Sequence, residues 1–154
     1  MKHAAPRLDL PVTAARPAVT HAFQLRPRYC ECDPMGVVHH AAYIPWLELG
    51  RTELLRTSGV SYAQLEAGGV FLVVVKLQLA YRKPARYDEL VEVRTRVTAA
   101  GRVKIEHEYE VVRIGANAAP GESILAASST IACVDAQGRV RELPTWLTSA
   151  SGVS

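Results

Sequence analysis

A carboxylate, imidazoles and a phenol that could cooperate in hydrolysis fall in one short stretch, Tyr29-Cys30-Glu31-Cys32-Asp33-Pro34-Met35-Gly36-Val37-Val38-His39-His40-Ala41-Ala42-Tyr43. It reads as a strand that breaks at Pro34 and Gly36 and leads into an amphipathic helix, which leaves Asp33 at the break, facing the helix start. Backbone amides at a helix start are unpaired and carry the positive end of the dipole. Aimed at a carbonyl, they stabilise the oxyanion of an acyl-transfer transition state. A carboxylate opposite them can attack that carbonyl or activate a water. Asp33 and the helix start around His40 are therefore the two halves of a hydrolytic site. A thioester suits machinery this sparse, because a thiolate leaves with less acid assistance than an amine.

Each of these residues also has an ordinary reading. Asp before Pro-Met-Gly is common turn chemistry, its side chain bonding nearby amides. His40 alone reads as a capping or packed residue, Tyr29 alone as core, and His39 is the least persuasive of the set. Cys30 and Cys32 would point to one face of a strand. With Cys133 they make three thiols, an odd, small number for a chain of 154 residues. That is no disulfide framework, so reduced thiols and a cytoplasmic setting are expected. A zinc site would need ligands beyond the His pair at 39 and 40, and buried structural thiols are expected instead.

The elements that must hold this turn follow from periodicity. Residues 1–21, rich in Ala, Pro and Arg, read as a disordered extension, and 22–154 as a single domain. Over 22–32, Phe23, Leu25 and Tyr29 suggest a strand, with Pro27 near an edge or bulge. In Tyr43–Thr57, Tyr43, Trp46, Leu47, Gly50 and Leu54 recur at helical spacing, with Glu48–Arg51 and Glu53–Arg56 as possible same-face pairs. Gly50 would let this helix lie close against a sheet, Pro45 must fall in its first turn, and Ser58-Gly59 is a stop. A short helical turn over 61–66 is closed by Gly68-Gly69. Strand patterns then occupy 70–82, 89–98, 103–114 and Ser123–Val134, with a loop at 115–121 and a turn at 135–138. Leu143, Pro144, Trp146 and Leu147 can pack back on the body. Long strands joined mostly by short connections imply antiparallel pairing. The expected class is α+β, one long helix on one face of a five-stranded antiparallel sheet. The apolar run at 70–75 and the alternating valines suggest that a second subunit covers the other face.

Composition narrows the function. A net charge of +3 is mild and argues against a dedicated nucleic-acid binder, although clustered Arg and Lys could meet a phosphorylated ligand. The apolar run at 70–79 is too short to span a membrane and contains Lys76. Arg7 and Arg16 with little acid suggest a targeting peptide, but Pro6, Pro11 and Pro17 interrupt any amphipathic helix and no apolar core segment is present.

The pattern Asp33-Pro34-x-Gly36-Val37-Val38-x-His40-x-x-Tyr43-x-x-Trp46-x-Glu48-x-x-Arg51 resembles the signature of the hotdog-fold acyl-CoA thioesterases. The match is to the 4-hydroxybenzoyl-CoA thioesterase-like branch, especially the small Tol–Pal-associated bacterial enzymes. It continues through Phe71-Leu72-Val73-Val74, Tyr81-x-x-Pro84-Ala85-Arg86-Tyr87-Asp88 and Leu143-Pro144, and covers roughly residues 22–147. The resemblance implies a hotdog fold, Asp33 as general base or nucleophile toward the thioester, and the amide of His40 as the group that polarises the carbonyl. In closer relatives the His and Tyr considered catalytic fall on His40 and Tyr29. The resemblance also implies an active site between two subunits, with the acyl group along the helix and CoA at the surface, in a homodimer at least and commonly a homotetramer. CoA phosphates make Arg82, Lys83 and Arg86 candidate contacts. No cofactor is implied, CoA being part of the substrate. Position 39, often Tyr in close relatives, is His here and bears on substrate shape; Pro45 is a second departure. Glu66 follows the helix, where another branch of the fold has its catalytic acid, and with Asp33 in place it reads as surface. The alternatives are a non-catalytic acyl-CoA sensor on the same fold, and an enoyl-CoA hydratase-type enzyme, whose Asp/His motif is not found.

Overall fold

The computed structural model describes residues 18–115 and 121–148. In chain order it contains β1 (Thr20–Leu25), a 3-10 turn (Tyr29–Glu31), α1 (Tyr43–Thr57), α2 (Tyr62–Ala67), β2 (Phe71–Tyr81), β3 (Val91–Ala100), β4 (Lys104–Arg113), β5 (Ser123–Val134) and α3 (Thr145–Thr148). The strands form one antiparallel sheet in the order β1-β3-β4-β5-β2. β1 and β2 are thus opposite edges, and the two helices carry the chain from one to the other. This is the expected α+β arrangement, a long helix on a five-stranded sheet.

α1 forms where the apolar spacing places it, burying Tyr43, Trp46, Leu47, Gly50, Leu54 and Leu55. Pro45 is its third residue, where the missing N–H would have had no partner within the helix. Glu53 pairs with Arg56 (3.2 Å) on its outer side, while Glu48, itself exposed, pairs with Arg51 (3.6 Å), whose side chain is mostly buried. The helix packs against β1 and β3. At the crossing a Cβ on Gly50 would lie 2.3 Å from Thr95 Oγ1. α2 starts at Ser61, whose hydroxyl accepts the Gln64 amide while the Gln64 side chain accepts the Ser61 amide, a reciprocal cap.

The core lies between α1 and the sheet, where Leu47, Val91, Val93, Val111, Ile124 and Leu125 are buried. A second cluster gathers Leu55, Leu65, Val70 and Ile105 under Leu143 and Leu147, so the C-terminal segment does pack on the body, through the short α3 that periodicity did not reveal.

Three expectations change. The strand expected over 22–32 ends at Leu25, because Pro27 has no N–H to give a ladder, and the chain then tightens into the 3-10 turn. Tyr29 is consequently 82% exposed rather than core, Cys30 is exposed and Cys32 half-buried, leaving Cys133 as the buried thiol. At the other end of β1, pairing begins at Thr20, and the Ala18 amide donates to Ser58 Oγ at 3.2 Å, so the packed chain reaches back before residue 22. Finally, the face opposite α1 is not apolar. Arg94 pairs there with Glu92 (2.7 Å) and Glu110 (3.4 Å), and Arg96 with Glu108. Val91 and Val93 are spent in the core, and apolar exposure gathers instead on the β2 edge at Val73, Val74 and Val75, where a bulge shifts the register.

Beneath α1 a cavity of about 40 Å³ is lined in part by Arg51, Ser58, Tyr62 and His107. His107 is 7% exposed and its Nδ1 has no partner among the described residues. Burial, with the Arg51 guanidinium nearby, lowers its pKa from 6.5 to about 4.

Two predictions follow from this packing. Gly50→Ala lowers stability in urea by about 1–3 kcal/mol, the usual result of overpacking. Combined with Thr95→Ala it recovers most of the loss, whereas additive losses would show that the crossing is not the cause. His107 stays neutral in the folded state down to about pH 4, while the unfolded chain takes up the proton near 6.5. Its contribution is therefore fully present above pH 6.5 and is lost as pH falls toward 4, by up to about 3 kcal/mol. Denaturation midpoints across this window should slope less in His107→Gln, and an unchanged slope would remove His107 from the account.

Candidate active site

The Asp33 turn is a small hairpin. Cys32 and Val38 form an antiparallel bridge, the Asp33 amide donates to the Val37 carbonyl (2.9 Å), and the Gly36 amide donates to the Asp33 carbonyl (2.9 Å). Gly36 has φ +79°, which the turn demands and L side chains avoid. Asp33 Oδ1 accepts the Met35 amide at 2.9 Å. This is the ordinary turn chemistry, and it occupies one carboxylate oxygen. The other has no hydrogen-bond partner among the described residues.

The second arm runs from Val38, whose amide donates to the Ala85 carbonyl (2.8 Å), to His39, whose amide donates to the Glu31 carbonyl (2.8 Å). His39 then caps the entry to α1: its Nδ1 accepts the Ala41 amide (3.1 Å) and its carbonyl the Ala42 amide (2.9 Å). The His40 N–H lies between these bonds and has no partner among the described residues. The regular helix begins at Tyr43, so this amide belongs to the turn leading into α1 rather than to its first helical turn. The His40 carbonyl accepts the Tyr81 hydroxyl at 2.7 Å, which fixes the residue from the end of β2. The His40 ring is exposed and lies 4.1 Å from that of His39, centre to centre.

The hairpin therefore brings Asp33 and the His40 amide onto two arms of one unit. Tyr29 stands apart. Its ring meets Tyr87 edge-on at 5.8 Å, and no hydrogen bond joins its hydroxyl to Asp33 or His40. Of the three cations, Arg86 is at the turn, its guanidinium directed to the Gly36 carbonyl at 3.5 Å. Lys83 is held by Glu122 at 3.7 Å, and the Arg82 side chain is exposed with no partner among the described residues. Sequence reasoning gave no role to Tyr81, to the His39 cap or to Glu31, whose carboxylate accepts the Trp46 indole N–H at 3.0 Å. The Arg28–Glu31 spacing is visible in the sequence as an i,i+3 pair, but the reach to Trp46 is not. A broad concavity of about 810 Å³ lies against Arg94, Arg96 and Glu108 on the outer sheet face. Asp33 instead sits at an open turn between exposed side chains.

Residues 27–150 match the model of the thioesterase-like superfamily. The chain belongs to that superfamily. YneP of Bacillus subtilis, assigned by name to the acyl-CoA thioesterases, is 36% identical over 112 residues, spanning 73% of this chain and 78% of YneP. Among solved structures, the DHNA-CoA thioesterase of Staphylococcus aureus superposes with a TM-score of 0.77 at 28% identity, covering 87% of this chain and 90% of that one. A 4-hydroxybenzoyl-CoA thioesterase crystallised with 4-hydroxybenzoyl-CoA shares the fold, with a TM-score of 0.76 at 19% identity, covering 89% of this chain and 100% of that one. The region matched in this thioesterase-like chain contains the whole Asp33 hairpin, Tyr81 and Arg86.

Proposed function

We propose that this thioesterase hydrolyses an acyl-CoA to a free acid and CoA at the Asp33 hairpin. One observation carries the reading: a carboxylate oxygen and a backbone N–H, both without partners among the described residues, sit on opposite arms of one rigid turn. The thioester carbonyl oxygen takes the His40 N–H, which stabilises the oxyanion as it forms. The free Asp33 oxygen removes a proton from water while the hydroxide adds to the carbonyl carbon. Collapse of the tetrahedral adduct breaks the C–S bond, and the thiolate leaves with the proton returned from Asp33. In the alternative order Asp33 itself adds to the carbonyl, expels the thiolate and is released from the mixed anhydride by water. The exposed His40 imidazole is available to assist proton movement. Tyr29, exposed beside Tyr87, would act only after substrate or a second chain brought it toward the carbonyl.

Arg86, held over Gly36, is the cation best placed for a CoA phosphate, with Arg82 and Lys83 further along the same loop. A second copy completes the site in this reading. The support is the β2 edge, which leaves its main-chain groups unpaired, exposes Val73 to Val75 and ends in Tyr81 at His40. A homodimer is the minimum assembly, and a pair of dimers is the expected one. No described helix is long and apolar enough to cross a membrane, and reduced thiols favour reaction in the cytoplasm.

Thiol release from short, long and aromatic acyl-CoAs, wild type beside Asp33→Asn, tests the chemistry. Asparagine retains an oxygen for the Met35 amide but has no basicity. Turnover should fall at least about a hundredfold with the melting temperature nearly unchanged. Acyl-CoA binding without turnover in the wild type would make the protein a sensor instead. Light scattering should give an even multiple of the 16.8 kDa chain, and Val74→Arg should lower both mass and activity. An active wild-type monomer would remove the second copy from the site.

A further inference from the structure

Glu31 carries a carboxylate that the hydrolysis does not use, and its side chain is only 10% exposed. Its Oε2 accepts the Arg28 amide at 2.7 Å. Its Oε1 accepts the Arg28 guanidinium at 3.1 Å and the Trp46 indole N–H at 3.0 Å. On the main chain the Glu31 carbonyl accepts the His39 amide at 2.8 Å and its amide donates to Arg28 at 3.0 Å. One residue therefore joins three bodies: the turn entering the Asp33 hairpin, the arm that presents the His40 amide, and the buried face of α1. Burial pushes the Glu31 carboxyl up, but the Arg28 amide and guanidinium and the Trp46 indole outweigh it, so the group stays below its ordinary range and remains charged.

The ion pair is not the important bond, since Arg28 is 73% exposed and such pairs contribute little. The bond to Trp46 differs. It is charge-assisted, partly buried and links positions fifteen residues apart. Trp46 is 4% exposed and its ring meets Tyr43 at 4.9 Å, so apolar packing alone would hold the indole in the core. Packing of that kind is non-directional and leaves small rotations and slides of α1 open. A hydrogen bond from the indole to the residue two before Asp33 closes them.

We infer that Glu31 is a positioning residue of the hydrolytic site: through Trp46 it fixes the Asp33 hairpin against α1 and so holds the free carboxylate oxygen at a set spacing from the His40 amide. This rests on the hydrolytic reading above. Displacements of about 1 Å in such a site reduce rate by about a hundredfold, so a bond that is dispensable for folding can be indispensable for turnover.

Glu31→Gln is the test, because glutamine has one acceptor oxygen where the native bonds use two, and its amide must face either the Arg28 N–H or the indole N–H. The expected result is a kcat lower by roughly ten- to a hundredfold, with KM for acyl-CoA within about twofold of wild type. Trp46→Phe, which keeps an aromatic ring in the core but loses the N–H donor with the rest of the indole, should give a similar loss, and the double variant should be no worse than the poorer single one. In NMR the Trp46 indole proton should move upfield in Glu31→Gln. A kcat within twofold of wild type, losses that add, or a loss accounted for entirely by a smaller folded fraction would overturn the role. An intact wild type that shows the downfield indole proton but no turnover would overturn the hydrolytic reading, and this role with it.

Discussion

The distance between α1 and the sheet is set at Gly50, and much else in the structure depends on that distance. Glycine inside a helix is unfavourable by about 1 kcal/mol relative to alanine. Here it is required by the approach to Thr95, whose hydroxyl oxygen would lie 2.3 Å from a Cβ at this position. The close crossing lets Leu47 join the cluster containing Val91 and Val93, and it lets Trp46 come within bonding distance of Glu31. A helix held further off would still bury an apolar face. It would not deliver its leading turn, with the His40 amide, to the same place beside the Asp33 hairpin. Packing density in the middle of the helix and geometry at its entrance are thus one problem.

The outer face and the β2 edge answer different needs. Arg94 and Arg96 stand opposite Glu110 and Glu108 in register, so cross-strand charges are matched pair by pair. Exposed pairs of this kind add little stability, but they keep the face wet and unattractive to apolar surfaces. β2 is the reverse: main-chain groups open on one side and valines exposed along the middle. Its last residue, Tyr81, holds the His40 carbonyl. In the proposed assembly a second copy paired with β2 would also adjoin the turn, so association and chemistry would be coupled without a separate device.

What could be read from the sequence divides along the same lines. α1 and β5 were legible to their last residue, because Tyr43–Thr57 has a helical apolar period with an internal glycine and a Ser-Gly stop, and Ser123–Val134 is a long run between turn signals. The break at Asp33 was legible too, since Pro34 and Gly36 interrupt any regular element, but its closure into a hairpin bridged by Cys32 and Val38 was not. The 3-10 turn was not: Phe23, Leu25 and Tyr29 keep an alternating pattern that continues past the point where Pro27 ends the ladder. Misplacing that end put Tyr29, Cys30 and Cys32 inside when they are wholly or partly exposed. The outer face was misread for a different reason. Period-2 alternation says that one side of β3 and β4 is apolar, and the valines had already been counted for the helix side. The Glu31–Trp46 bond and the Tyr81 contact depend on side-chain reach between segments, which no local pattern encodes.

The two readings of Asp33, turn former and catalyst, turn out not to compete. A carboxylate has two oxygens and accepts several hydrogen bonds, whereas the hairpin uses one oxygen for one amide. The bond to Met35 orients the plane of the group, and that orientation is what a base or nucleophile needs before substrate arrives. The same division holds across the hairpin, where the His39 imidazole and carbonyl satisfy the amides of Ala41 and Ala42 and that of His40 has no partner among the described residues. Structural hydrogen bonds here use up neighbouring groups and leave the second Asp33 oxygen and the His40 amide without partners among the described residues. For a substrate whose leaving group is already a stable thiolate, one base and one oxyanion donor suffice, provided that neither can drift. In the proposed hydrolysis the surrounding bonds from Gly36, Glu31 and Tyr81 would supply that rigidity, so most of the residues at this turn would serve geometry and few would serve chemistry.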